Sequence, residues 1–330
     1  MGLKLTPRLA LVFILFALAI SAGVGILAYY SGRLSLEAAA KTELQSTALE
    51  KEAALEAWIF ERESSISALA RSGYILEQLV EFRESEHNSR QAHDRLIREL
   101  SVHTGPGQAF LTLFILAPED GRVIASVDSG EEGDLRTNLA YFIEGKSGIY
   151  TTPIYYSPDL LVPAMTTAAP LYSAEGKLLG VLAGRLNLEE LNAIIQRRSA
   201  LRETDDAFLV NRENQFVTQP RFIPDPAVLK VGVHTELVQR CLAGDSNTMS
   251  AVDYRGVPVI AVYRWLSTRQ MCLIVKISQA ETLAPVERFG TRVIGIALGT
   301  LVAASVAALL LSNALLRPIR AMQVAAKRYG

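Results

Sequence analysis

Little in this 330-residue sequence invites chemistry. It has only two cysteines, Cys241 and Cys272, so covalent stapling is limited to one bridge. An oxidising compartment permits that disulfide, and two separately buried thiols fit the spacing equally well. No charge of either sign dominates. The net charge of −1 leaves no basic stripe of the kind that tracks a nucleic-acid backbone, so nucleic acid is not an expected partner. Catalytic signatures are missing too: there is no Gly-x-Ser-x-Gly elbow, no Gly-x-x-x-x-Gly-Lys-Ser phosphate loop and no Cys-His arrangement within one module. His87, His93 and His103 offer no metal-ligand spacing, because His87 and His93 lie six apart on helical sequence and so on different faces. No catalytic residue, metal or cofactor is expected, and these 330 residues are not read as an enzyme.

Charge is also missing from two long runs, Leu9 to Gly32 and Val293 to Leu316. Each is long enough, at about 1.5 Å per residue, to cross a roughly 30 Å hydrocarbon core as a helix, and the 50% hydrophobic share agrees with membrane segments. The first run also fits a signal peptide, although it is longer than a typical signal core. Lys4 and Arg8 precede it, and Arg317, Arg320, Lys327 and Arg328 follow the second, so both ends are expected in the cytoplasm. The expectation is a two-pass protein of a bacterial inner membrane, with a cytoplasmic start at 1–8, spans at 9–32 and 293–316, and residues 33–292 exported.

The exported part begins with helix. Neither proline nor glycine occurs between Leu34 and Arg71, and Leu44, Ala48, Leu55, Ile59, Ile66 and Ala70 recur at close to helical period. With the polar helical sequence that continues to Leu100, this predicts a helical spine over 33–105.

The pattern then changes to strands. The runs Phe110 to Ala117 and Arg122 to Val127 flank Pro118-Glu-Asp-Gly121 and predict a hairpin. Further strands are expected at 148–156, 161–169 and 177–186, with a turn at 173–176 and a short helix at 188–196. One antiparallel sheet roofed by a helical loop describes a PAS-like fold with a pocket between the two. The pattern repeats at an offset of about 93 residues: Ile115-Leu-Ala117 matches Phe208-Leu-Val210, and Leu178 to Leu182 matches Met271 to Val275. Two modules of one fold are expected, at 106–198 and 199–285, in an α+β chain. The second has less material to roof its sheet, because Pro220, Pro224 and Pro226 interrupt it.

Three segments, Asp134 to Phe142, Ala169 to Val181 and Tyr254 to Val259, occur in an order and spacing that resembles the double-Cache sensor domain of bacterial transmembrane receptors. Leu316-Arg-Pro-Ile-Arg320 and Ala325 to Gly330 resemble the start of a HAMP signalling linker, assigned to 317–330. The resemblance implies a homodimeric receptor that binds a small molecule in the membrane-distal module. It also implies an output domain: a histidine kinase first, then a chemoreceptor or diguanylate cyclase domain. A structural dimerisation domain without ligand and a membrane-anchored periplasmic hydrolase are the alternatives.

The site expected from the resemblance comprises Arg136, Tyr141, Phe142, Tyr150, Thr152, Met165, Thr167 and Arg185. Family members that bind amino acids carry an Arg where Leu139 stands, and aspartates where Thr152 and Arg185 stand. An α-amino acid is therefore not the expected ligand. With Arg185 as a fixed cation, Arg136 on the roofing loop and no acidic residue evident among the lining positions, the expected ligand is an organic anion. The other outcome is that Arg185 points to the opposite face of its strand and pairs with Glu189 or Glu190.

Overall fold

The structure, a computed structural model, describes residues 5–84, 88–105, 107–157, 162–197, 202–288 and isolated positions between 290 and 306. The segment read as a HAMP start, 317–330, lies outside the described residues, as does much of the run 293–316. Among the described residues no helix is long and apolar enough to cross a membrane. The two-span expectation therefore rests on the sequence alone. The chain divides into two compact units, 1–42 with 278–330, and 43–277.

Helix α1 (Leu5–Ala70) contributes to both units. In the larger one its apolar stripe is used as expected: Leu44, Ala48, Leu55, Ile59, Ile66 and Ala70 are all buried. The chain turns at Arg71 and Ser72, then continues as α2 (Gly73–Glu84) and α3 (Ser89–Ser101).

The first sheet is built from β1 (Phe110–Leu116), β2 (Val123–Ser126), β3 (Tyr150–Thr151), β6 (Thr166–Tyr172) and β7 (Leu178–Leu186), in the order β2-β1-β7-β6-β3. The β1, β2, β6 and β7 ladders are antiparallel, and so is β3 on β6. Two expected strands are each broken in two. The run 148–156 splits into β3 and β4 (Tyr155–Ser157), and 161–169 splits into β5 (Val162–Ala164) and β6, with β4 and β5 pairing by themselves. Pro153 explains the first break, since it has no N–H to donate to a ladder, and Pro163 is confined to the small outlying pair. A short 3-10 turn, η1 (Ser129–Glu131), and helix α4 (Ala140–Gly145) lie in the connection after β2, and α5 (Leu188–Gln196) follows β7.

The second sheet has the order β8-β11-β10-β9, from β8 (Asp206–Val210), β9 (Asn247–Val252), β10 (Pro258–Leu266) and β11 (Met271–Ser278). Helix α6 (Glu236–Leu242) packs in its core. Past β8 the chain turns back, and Phe216 bridges Val210. Cys241 on α6 and Cys272 on β11 are bonded, which decides the pairing that spacing left open.

The two sheets share a strand order once β2 is set aside, but the offset of 93 does not superpose the faces of β1 and β8. Phe114 packs edge-on against Tyr141, and Phe208 packs edge-on against Tyr254. Phe114 and Phe208 each belong to the core of their own sheet, and matching them maps β1 to β8 at an offset of 94. Ile115, which the sequence reading matched with Phe208, belongs to the opposite face by strand alternation. On the last strands, Arg185 lies across from Thr112, and Lys276 lies across from Asp206, an offset of 91.

α1 ties both sheets together through polar contacts in the larger unit. Glu63 Oε1 accepts from Thr151 Oγ1 of the first sheet at 2.9 Å and from Arg269 Nη1, in the β10–β11 turn, at 3.3 Å. Lys51 donates to the carbonyls of Ile195 and Arg197 at 2.6 and 2.7 Å, and burial lowers its pKa. Arg62 and Trp58 both donate to Glu190.

Candidate functional site

One face of the first sheet is apolar at one end and polar at the other. Phe114, Leu116, Ala168, Val181 and Ala183 form the apolar end, closed by Tyr141 and Phe142 of α4. Gly121 makes this closure possible. It sits at φ +73°, and a Cβ there would meet the Phe142 ring at 2.9 Å. The register then places Thr112, Arg185 and Thr166 in one row across β1, β7 and β6, on the same face. Thr152 extends that row: its Oγ1 accepts from Thr166 N at 3.1 Å, and its own N–H donates to Thr166 O at 2.9 Å. Tyr155 brings its hydroxyl to Thr166 Oγ1 at 2.9 Å.

Arg185 therefore faces the roof, not Glu189 or Glu190. It is not, however, the unneutralised cation expected. Glu131, from the η1 turn, bonds Arg185 Nη1, and the two side chains are only 4% and 8% exposed. The Arg185 guanidinium also lies 5.3 Å from the centre of the Phe114 ring. The pairing is incomplete: Glu131 Oε2, Arg185 Nε and Thr112 Oγ1 are buried without a hydrogen-bond partner among the described residues. Arg136 is buried nearby and bonds Asp134 at 2.9 Å. Burial raises the Tyr141 hydroxyl, reinforced by Tyr155 and opposed by the charges of Arg136 and Arg185. These groups thus lie close together in the buried interior of the module.

Of the eight expected site residues, Tyr141, Phe142, Thr152, Arg185 and half-buried Tyr150 come together on this face, with Arg136 in the roofing loop. Thr167 does not belong to it. Its hydroxyl meets Thr151 Oγ1 at 3.0 Å, on the side where Thr151 also bonds Glu63. Met165 is buried, but it stands one residue before β6, joined through its carbonyl to Leu186 N, and is not packed with Tyr141 and Phe142.

The second sheet offers the same place filled differently. Lys276 is fully buried, 2.5 Å from Asp253 and 3.4 Å from Asp206. Asp206 also accepts from the Tyr254 hydroxyl at 2.7 Å and from Arg221 N at 3.2 Å.

The Cache domain model dCache_1 matches residues 32–286. The chain belongs to the Cache domain family. Cache domains are extracellular sensor domains of membrane receptors, and a ligand-sensing receptor role follows for this one. Solved structures agree in fold. The Cache chain is similar to an extracellular ligand binding receptor from Desulfohalobium retbaense DSM5692, at 12% identity over 72% of this chain and 40% of that one, with a TM-score of 0.51. It thus spans less than half the length of that relative. It is also similar to the ligand-binding domain of the Campylobacter jejuni chemoreceptor Tlp3 in complex with L-norvaline, at 16% identity over 75% and 94% of the two chains, with a TM-score of 0.55. A third is the ligand binding domain of the Pseudomonas aeruginosa PAO1 amino acid chemoreceptor PctB in complex with L-Gln, at 16% identity, 76% and 98% coverage and a TM-score of 0.51. No curated protein matches the chain.

In this Cache domain, sequence reasoning missed Glu131, Thr112, Thr166 and Tyr155. Thr112 and Thr166 could have been found from the register with Arg185. Glu131 sits in a polar connection 54 residues away from Arg185, and no local pattern marks it.

Proposed function

We propose that this Cache domain senses a small polar molecule in the first sheet module, between the Thr112–Arg185–Thr166–Thr152 row and the α4 roof carrying Tyr141 and Phe142. The observation that supports it is a buried polar row set into an otherwise apolar core, beneath two aromatics. Tlp3 and PctB are described with amino acids bound. In this chain Leu139, Thr152 and Arg185 stand where that ligand's partners are expected, and Glu131, the carboxylate that the η1 turn brings to the row, is engaged with Arg185. The ligand class is therefore read as an organic anion, with no ammonium required.

The rest of the receptor is part of the same proposal. Residues 9–32 and 293–316 anchor the chain in a bacterial inner membrane, with 33–292 outside. The supports are the absence of charge in both runs and the exposure of Leu15, Phe16, Ile20 and Leu27 on α1. The signal passes through the second run to a HAMP linker, read from the resemblance of 316–330, and on to an output domain, a histidine kinase first, then a chemoreceptor or diguanylate cyclase domain. The receptor works as a homodimer. Leu49 and Phe60, 52% and 69% exposed and eleven residues apart on one side of α1, support a contact with a second copy.

Calorimetric titration of the full chain with metabolite pools tests the sensing site. Binding should appear in the wild type and weaken by at least about tenfold in Tyr141→Ala, a loss of roughly 1.4 kcal/mol. A ligand whose affinity ignores Tyr141 would move the site elsewhere.

A further inference from the structure

We infer that Glu131 is a resident competitor: it occupies the carboxylate site of Arg185 when no ligand is bound, and an incoming carboxylate takes its place and releases the η1 turn. The inference rests on the sensing site proposed above and names how that site is regulated.

The first support is the quality of the pairing. A free carboxylate can offer both oxygens to a guanidinium fork. Glu131, tethered in a three-residue turn, engages Arg185 through one oxygen, leaving its Oε2 and Arg185 Nε buried and unsatisfied, with Thr112 Oγ1 beside them in the ladder. Each such orphan carries an uncompensated desolvation cost, so the pair is held in place without being well matched.

The second support is internal to the chain. The structurally equivalent cation, Lys276, meets two carboxylates carried by the frame of its own sheet, Asp206 in β8 and Asp253 just after β9. Both are pinned by further donors: Asp253 accepts from Arg255 N and Val257 N, and Asp206 from Arg221 N and Tyr254 Oη. None of these groups is among the buried atoms lacking a partner. That is how this fold pairs a buried cation permanently. Arg185 is paired otherwise, by a residue from the roofing connection.

The third support is the turn itself. It is closed by local bonds, Glu131 N to Asp128 O and Gly130 N to Asp128 Oδ1, ahead of Gly133 and Asp134, which bond the β2 backbone at Val123, so 128–131 can shift as a piece against that anchor. Its next residue, Glu132, meets His93 Nε2 on α3 at 2.8 Å and Ser126 N on β2 at 3.0 Å. A displaced turn therefore pulls on both. The exchange is balanced in charge: one carboxylate leaves Arg185 for water as another arrives, and at no point need the guanidinium stay buried alone.

Acetate is the probe. Thermal unfolding of the full chain in detergent micelles is followed in sodium acetate against sodium chloride at equal ionic strength. Glu131→Ala should melt lower than wild type in chloride, and acetate should restore several degrees. The double variant Glu131→Ala with Arg185→Gln should show no acetate response. Glu131→Gln, which keeps the shape, covers the case in which the alanine variant does not fold. It should respond to acetate at a concentration roughly tenfold lower than wild type does, because the competitor no longer reduces the competent fraction. Equal responses in wild type and Glu131→Gln, or a response that survives loss of Arg185, would overturn the competitor. The acetate response does not depend on any natural ligand being found, so it tests the exchange at Arg185 separately from the identity of the molecule sensed. A natural ligand whose affinity is indifferent to Glu131 would leave sensing intact and refute this inference alone.

Discussion

Lys276 Nζ lies 2.5 Å from Asp253 Oδ2, with both side chains sealed from solvent, at the place in the second sheet that Arg185 holds in the first. Removing one partner of such a pair strands the other, a loss of about 3 kcal/mol or more. Asp253→Asn should lower the urea midpoint accordingly with an unchanged slope. Glu236→Gln, whose carboxylate pairs with Arg240 with both side chains exposed, should change stability by less than about 1 kcal/mol.

The same residue sets an acid limit. Burial acts to raise the Asp253 carboxyl, but hydrogen bonds from Lys276 and Val257 N, with the charge of Lys276, more than offset it and hold it below the usual carboxylate range. A depressed carboxyl contributes stability above its unfolded value, about 3.9, and loses it as pH falls through the folded value. Wild type should therefore lose stability below about pH 4, and Asp253→Asn should show a shallower acid slope in the same titration.

The Cys241–Cys272 bond closes a separation of 31 residues. Chain entropy assigns such a loop about 3–4 kcal/mol. A reductant should lower the melting temperature of wild type and leave the Cys241→Ser, Cys272→Ser double variant unmoved.

Glu63 joins the first sheet at Thr151 to the second at Arg269. A double-mutant cycle between Thr151→Val and Arg269→Ala should return a coupling of about 0.5 kcal/mol or more. In a Glu63→Ala background the coupling should vanish, because the two side chains share only that carboxylate.

For the proposed dimer, Phe60→Glu should shift the full chain in micelles from two copies to one by light scattering. Cysteines placed at 49 or 60 should crosslink to their own counterparts.

The helical spine and the long strands were legible in the sequence, since a stripe such as Leu44, Ala48, Leu55 and Ile59 has only one arrangement that buries it. Faces were not. Every residue of β7 after Leu178 is buried, so apolar character does not alternate, and a one-residue slip leaves no trace in the pattern. That is why the repeat was aligned one residue out between β1 and β8 and two residues out between β7 and β11, and why Thr167 was assigned to the pocket instead of Thr166. Arg185 was placed on the correct face because a family position, not periodicity, located it. Its partner Glu131 was invisible because the contact exists only once the roofing connection folds back.

In both sheets the strand made last lies in the interior: β7 between β1 and β6, and β11 between β8 and β10. Neither sheet can therefore be assembled in the order of synthesis. As the chain emerges, β1 waits for its second neighbour, which follows more than sixty residues later, and β8 waits likewise for β11. Each module completes in one step, when its final strand enters the gap. A chain arrested anywhere before Leu186 or Ser278 would leave two open edges facing each other, the condition that invites pairing with other chains. Delivery of these receptors thus depends on the closing strand arriving before a stranger does.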